Sequence, residues 1–455
     1  MTSGNSRRIA DAKWMVAVVT LVAAAAIAAC GSSTSHQATP TATPAVSQPL
    51  ATATPPPDLG PVTYVDPVYQ PDGNRLADGS GLSTGFIQQI TTKDINLGDI
   101  PTWVTGTSTP NGDVWVVALA DGTVYGYQIP IGGQPSPIEV PGGRLAPGQP
   151  PVLAVQGNSV RLATTPANAS PNSVPVYLTG NRAAYVDNLQ RLTVLEPNGT
   201  LWRPDLKVLP DTRVIQISPE KVLVLAGPTD RFPHSALGDN LEATSVVVVT
   251  VGVNEVETVY RSEDDVIESV APLLADVDGD DINDVVLTLS NDREVWIVVA
   301  SSTGGGVVAI SDPVDRLLGW RHLVAVGPLG PSGQTEIAEV LYPDAQGSLR
   351  FLSLSGSKLG VIATRTGYRS HEFGTRNFEQ AVAADVDRDG RVEVILPTLD
   401  RQHIAGVLHG PDGAVDMWSR PLGGTLATNI AVLTRPDGTL SVAAATVEGS
   451  LRVWQ

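Results

Sequence analysis

The chain has one cysteine, Cys30, in 455 residues. No internal disulfide can form and no CxxC zinc motif exists, so stability must come from packing and bound ions. Histidine is also scarce. His36, His234, His322, His371, His403 and His409 lie scattered, without zinc-ligand spacing. Basic charge is in deficit: 29 Lys and Arg face 47 Asp and Glu, for a net charge of −18. Such a field repels phosphate backbones and anionic membrane surfaces, which argues against a nucleic-acid partner, and it attracts cations. A Gly-x-Ser-x-Gly elbow, a P-loop, a Rossmann fingerprint and any long amphipathic helix are all missing from the sequence.

Glycine and proline, by contrast, are plentiful at 44 and 36 residues, and 42% of the chain is hydrophobic. That combination gives many turns and enough apolar mass for a large core.

The first 29 residues read as an export signal. Arg7, Arg8 and Lys13 precede an apolar run from Trp14 to Ala29, and Ile27-Ala28-Ala29-Cys30 matches the bacterial lipoprotein box. The run is short for a membrane span, and small residues at the cut site favour a signal. A transmembrane anchor or a plain secretory signal is the alternative. This places the mature chain on the outer face of a bacterial cell membrane, anchored by lipid on Cys30. Residues 30–60 are rich in Ser, Thr, Pro and Ala and read as an extended tether that cannot bury a core.

From about residue 61 to Gln455 short strands alternate with tight turns. Two acidic nonapeptides stand out. One runs from Asp276 through Asp278 and Asp280 to Asp284, the other from Asp385 through Asp387 and Asp389 to Glu393. Each places carboxylates at positions one, three, five and nine. Carboxylates so close repel one another unless a cation neutralises them, and Ca²⁺, a hard ion of irregular coordination, suits them. Position seven, Ile282 or Arg391, is free to offer a backbone carbonyl. Position twelve is Leu287 or Leu396, so an EF-hand is excluded. The β-branched flanks predict strands. The bland alternative is an acidic turn without a ligand.

These loops resemble those of the FG-GAP/VCBS repeat family, the calcium-loop β-propellers that include the integrin α-chain head. Phe373-Gly374 stands ahead of the second loop. Asp281 and Arg388 depart from the family glycines at positions six and four. The resemblance implies calcium loops between two strands of a blade. Eroded copies follow at Pro328–Glu336 and Leu433–Gly438, which sets a period near that of a four-stranded blade. A second repeat, x-Gly-[Thr/Ser]-[Val/Leu], occurs at Asp121, Asn198, Gln346 and Glu448 and predicts hairpin turns. The expectation is an all-β chain forming a single propeller of about seven four-stranded blades over 61–455. Its ring would be closed by pairing Ser450–Trp454 with a strand from about Val62–Tyr69.

The loop from Pro228 to Glu242 gathers Arg231, His234, Asp239 and Glu242 between two strong strands. It is a candidate ligand loop, with a structural ion pair as the plainer reading. The segment Gly410–Trp418 resembles the tryptophan-docking hairpin of quinoprotein dehydrogenases, in one good copy, and Trp418 reads as blade packing. The functional expectation is a monomeric, non-enzymatic calcium-binding module of adhesion or scaffold type, with a surface protein or polysaccharide as partner. The alternative is a propeller polysaccharide lyase or glycoside hydrolase with paired carboxylates at the central mouth.

Overall fold

The computed structural model describes residues 62–67 and 73–455 except 234 and 254. The expected signal, tether and Cys30 lie outside the described residues, as does His234. The described fold is all-β with one short 3-10 turn, Arg316–Leu318. Among the described residues, no helix is long and apolar enough to cross a membrane.

Local patterning explains the layering. In Lys221–Ala226, Val222 and Val224 pack in one cluster with Ala184 and Val194, while Leu223 and Leu225 pack in another with Val285 and Leu287. Successive side chains of a strand point to opposite faces. A strand apolar at every position is therefore a strand covered on both faces. The runs Ser245–Thr250 and Asp284–Ser290 are buried nearly throughout for the same reason.

The strands form small antiparallel meanders. The first is Pro101–Thr109, Gly112–Leu119, Val124–Ile129 and Ser136–Ile138. The second has three strands, Thr63–Val65, Leu153–Gln156 and Ser159–Leu162. The third spans Val176–Leu178 to Leu201–Trp202, and the fourth Ile215–Ser218 to Glu255–Arg261. The fifth, Val266–Ile267 to Val314–Asp315, and the sixth, Arg321–Gly327 to Lys358–Thr366, merge into one ten-stranded sheet through a two-residue parallel pairing of Ile310 with Lys358 and Ser311 with Leu359. The seventh runs from Val382–Asp385 to Gly413–Pro421 and takes Leu76–Ser80 as a fifth, parallel strand. The eighth is Ala431–Thr434, Leu440–Ala445, Ser450–Trp454 and Lys93–Asn96.

Eight hydrophobic clusters fill the gaps between neighbouring meanders in order. Trp115 and Leu451 join the eighth to the first, Val116 and Leu153 the first to the second, and so on to Trp418 and Trp454 between the seventh and eighth. The succession returns to its start, so the meanders form a closed, propeller-like ring. Two expectations change. Strand pairing gives eight meander units, with three to six strands, where seven uniform blades were expected. The strand that pairs with Ser450–Trp454 is Lys93–Asn96, whereas Thr63–Val65 pairs with Leu153–Gln156 in the second meander. Trp418 lies flat against Gly406, where a Cβ would come within 2.3 Å of its ring, so it packs a blade.

Candidate functional site

Each acidic nonapeptide leads into a central strand of its meander, Leu273–Ala275 to Asp284–Ser290 in the fifth and Val382–Asp385 to Glu393–Pro397 in the seventh, and the eroded copies occupy the same place in the sixth and eighth. In loop one, Asp276, Asp278 and Asp280 bring one carboxylate oxygen each within 4.8 Å of the others. Asp276 also shapes the turn, accepting from the amides of Gly279 at 2.7 Å and Asp281 at 3.0 Å. Asp281 takes the left-handed conformation, φ 66°, that position six requires. Asp284 accepts from the Val277 amide at 3.1 Å, and burial pushes its carboxyl up to about 6. Ile282 is exposed and donates its amide to Asp280 at 2.9 Å.

Loop two gathers a different set, Asp385, Asp387 and Glu393. Asp389 is diverted by an ion pair with Arg391 two residues on. Glu393 is buried, and that burial, with the charge of Asp387 beside it, pushes its carboxyl up to about 9. Three hard oxygens per loop fit a divalent cation. In the eroded loops side chains engage the remaining polar groups instead. Glu336, at position nine of the third copy, lies 2.9 Å from Nδ1 of His409. In the eighth meander Arg435 pairs with buried Asp113 of the first.

The described residues of the loop 228–242 pack against the segments that lead into the fifth, sixth and seventh meanders. Ala236 and Leu237 pack with Val270, Trp320 and Phe378. Asp239 pairs with Arg376, which also holds Asp211 at 2.8 Å. Arg231 is exposed and donates to the carbonyls of Glu263 and Asp265. Glu242 is buried; burial first, then the charges of Glu268, Asp211 and Asp239, push its carboxyl up to about 9.

Inside the ring lies a cavity of about 620 Å³, lined by first strands from several meanders and by the segment around Arg75. That size suits a small organic ligand. Tyr64 and Tyr177 stack in its wall, with ring centroids 4.0 Å apart. Glu379 lines it too, is 3% exposed, and neither of its carboxylate oxygens has a hydrogen-bond partner. Burial raises its pKa above the ordinary carboxylate range, Arg213 and Arg75 oppose the shift, and the charge of Asp66 adds to it. Arg75 is engaged by His322 and by the carbonyls of Leu323 and Phe378. Arg213 donates to the Arg376 carbonyl at 2.9 Å, while its Nε has no partner. Sequence reasoning missed Asp66, Arg213 and Glu379. The available signal was a charged residue at the head of an apolar inner strand, as in Arg213-Val214-Ile215 and Glu379-Gln380-Ala381-Val382.

No family model and no curated protein sequence matches the chain. Among solved structures, a europium-containing methanol dehydrogenase is similar at a TM-score of 0.49 and 12% identity, covering 84% of this chain and 90% of that one. The likeness carries no chemistry across. The ring itself holds two acidic groups able to chelate a metal and a cavity lined by a buried acid without a hydrogen-bond partner. The expectation of a non-enzymatic adhesion or scaffold module is corrected on these findings.

Proposed function

We propose that the chain is an enzyme that cleaves glycosidic bonds in its central channel, a hydrolase or lyase, within an eight-bladed propeller braced by two Ca²⁺ loops of FG-GAP type. The observation that carries the reading is Glu379, an unpaired acid lining the cavity with the charge of Asp66 near enough to raise its pKa. A carboxyl group whose pKa is raised by burial is suited to act as a general acid. In hydrolysis, Glu379 gives its proton to the glycosidic oxygen as the carbon–oxygen bond breaks. Asp66, also in the cavity wall, takes a proton from the water whose oxygen joins the anomeric carbon. The stacked Tyr64 and Tyr177 offer an aromatic wall for a sugar ring. Export and lipid anchoring on Cys30 would present this site outside the cell membrane, where millimolar Ca²⁺ fills such loops.

The test incubates the purified full-length chain with acidic and neutral oligosaccharides, following new reducing ends for a hydrolase and ultraviolet absorbance of an unsaturated product for a lyase. Glu379→Gln should lower turnover by roughly 100-fold or more with an unchanged melting temperature. Turnover unaffected by Glu379→Gln would sink the assignment.

A further inference from the structure

Arg213 and Glu379 line one cavity, both buried, yet they do not bond to each other. Both Glu379 oxygens and the Arg213 Nε are without hydrogen-bond partners. A guanidinium carries five donors in a planar fork matched to a carboxylate. Its charge is permanent, and the anions that feel it, Glu379 and Asp211, do so through space with no hydrogen bond to it. Nη2, which shares an edge with the orphaned Nε, donates to the Arg376 carbonyl at 2.9 Å, so that edge is partly engaged and Nε itself is not. The Trp103 ring lies 6.0 Å from its centre and supports its flat face. Arg75, the other arginine in the wall, is already held by three acceptors from His322, Leu323 and Phe378. The cavity thus holds one arginine with donors to spare and one acid with both oxygens to spare.

We infer that the channel selects a carboxylate-bearing sugar, a uronate or its glycoside, with the sugar acid's carboxylate on Arg213 and its glycosidic oxygen, or the anomeric hydroxyl of the free sugar, on Glu379. A neutral sugar would give the orphaned Nε no charged acceptor, so discrimination follows from the orphaned donor as much as from the bond formed. The inference rests on the glycosidic reading above, which it narrows to a substrate class.

Calorimetric titration of the full-length chain with glucuronate and galacturonate, against glucose and galactose, is the test. The uronates should bind roughly 10- to 100-fold tighter, the range for a charge-assisted hydrogen bond. Arg213→Gln should erase that preference, and Arg213→Lys should retain part of it. Circular dichroism and melting temperature establish that each variant is folded, and if Arg213→Gln does not fold, Arg213→Lys and the wild-type preference decide. Neutral sugars binding as tightly as uronates, or a preference untouched in folded Arg213 variants, would overturn the inference. Cleavage of neutral glycans alone would overturn this substrate class and leave the enzyme standing. Uronate binding without turnover of any uronide would do the reverse.

Discussion

Ser80 donates its hydroxyl to Oδ2 of Asp385 at 2.7 Å, and the amide of Gly81 donates to the Asp385 carbonyl at 2.7 Å. The first residue of the second acidic loop therefore also anchors the strand Leu76–Ser80, which lies parallel to Val382–Asp385 beside the cavity. An ion on this loop would fix the carboxylate that Ser80 reads. Removal of Ca²⁺ by EDTA should speed hydrogen exchange in residues 76–82 as well as in 385–393. Ser80→Ala, a loss of about 1 kcal/mol, should make the strand exchange faster even with Ca²⁺ present. Faster exchange confined to 385–393 would show that the two are uncoupled.

The two loops should differ in affinity for a reason internal to the second. Arg391 occupies Asp389, the position-five carboxylate, and brings a positive charge to the site. Arg391→Ala frees that carboxylate and removes the charge. Calcium titration in an Asp278→Asn background, which disables loop one, should show binding at loop two tightened several-fold, on the order of 1 kcal/mol for one charge at this separation. Unchanged or weaker binding would mean that Asp389 does not turn inward once released.

How much of this was legible depends on distance along the chain. The acidic loops are read from nine consecutive residues, and their place between two strands follows from their β-branched flanks. The ring's first half was not legible. The second and third meanders use strands of two to five residues, too short to show a period, and the second borrows Thr63–Val65 from far upstream. The closing strand, Lys93–Asn96, buries only Ile95, so its sequence reads as a polar loop. Asp66, Arg213 and Glu379 come together only because three separate meanders meet at one axis. The diversion of Asp389 by Arg391 was not visible from spacing, which treats every carboxylate as free to turn inward.

Glu242 makes stability depend on pH in a definite direction. Its folded pKa, about 9, lies above the ordinary value of about 4.3 for an unfolded chain. The folded state therefore holds a proton that the unfolded state loses. The contribution is fully present below about pH 4 and is lost as pH rises through about 9, at no more than about 1.4 kcal/mol per pH unit. Asp211, Asp239 and Glu268 share this neighbourhood with Arg316, and Arg376 holds Asp211 and Asp239. With Ca²⁺ in excess, the stability of Glu242→Gln relative to wild type should climb steadily from pH 5 to pH 9. A difference that stays constant with pH would mean that Glu242 is ionised in the folded protein.

Gly347 belongs to a repeated turn motif, yet it is there for a different reason from its counterparts. Gly122 and Gly199 have φ of 86° and 84°, the left-handed turn that glycine adopts without cost. Gly347 is not left-handed, but a Cβ on it would lie 1.5 Å from the carbonyl oxygen of Tyr368. The Gly347 carbonyl accepts from the amides of Gly367 and Tyr368 at 3.0 and 3.3 Å, so the two backbones cannot part without losing both bonds. Tyr368 also donates its hydroxyl to Asp416 at 2.7 Å, tying the sixth meander to the seventh. Relief of the clash would therefore disturb a contact between meanders as well as a turn. Gly347→Ala should destabilise the ring by roughly 3 kcal/mol or more. Gly360→Ala, where nothing lies within 4 Å of the added carbon, should change stability by less than about 1 kcal/mol. Denaturant midpoints for the two variants, measured side by side, decide the matter: equal midpoints would mean that the Tyr368 backbone yields without resistance.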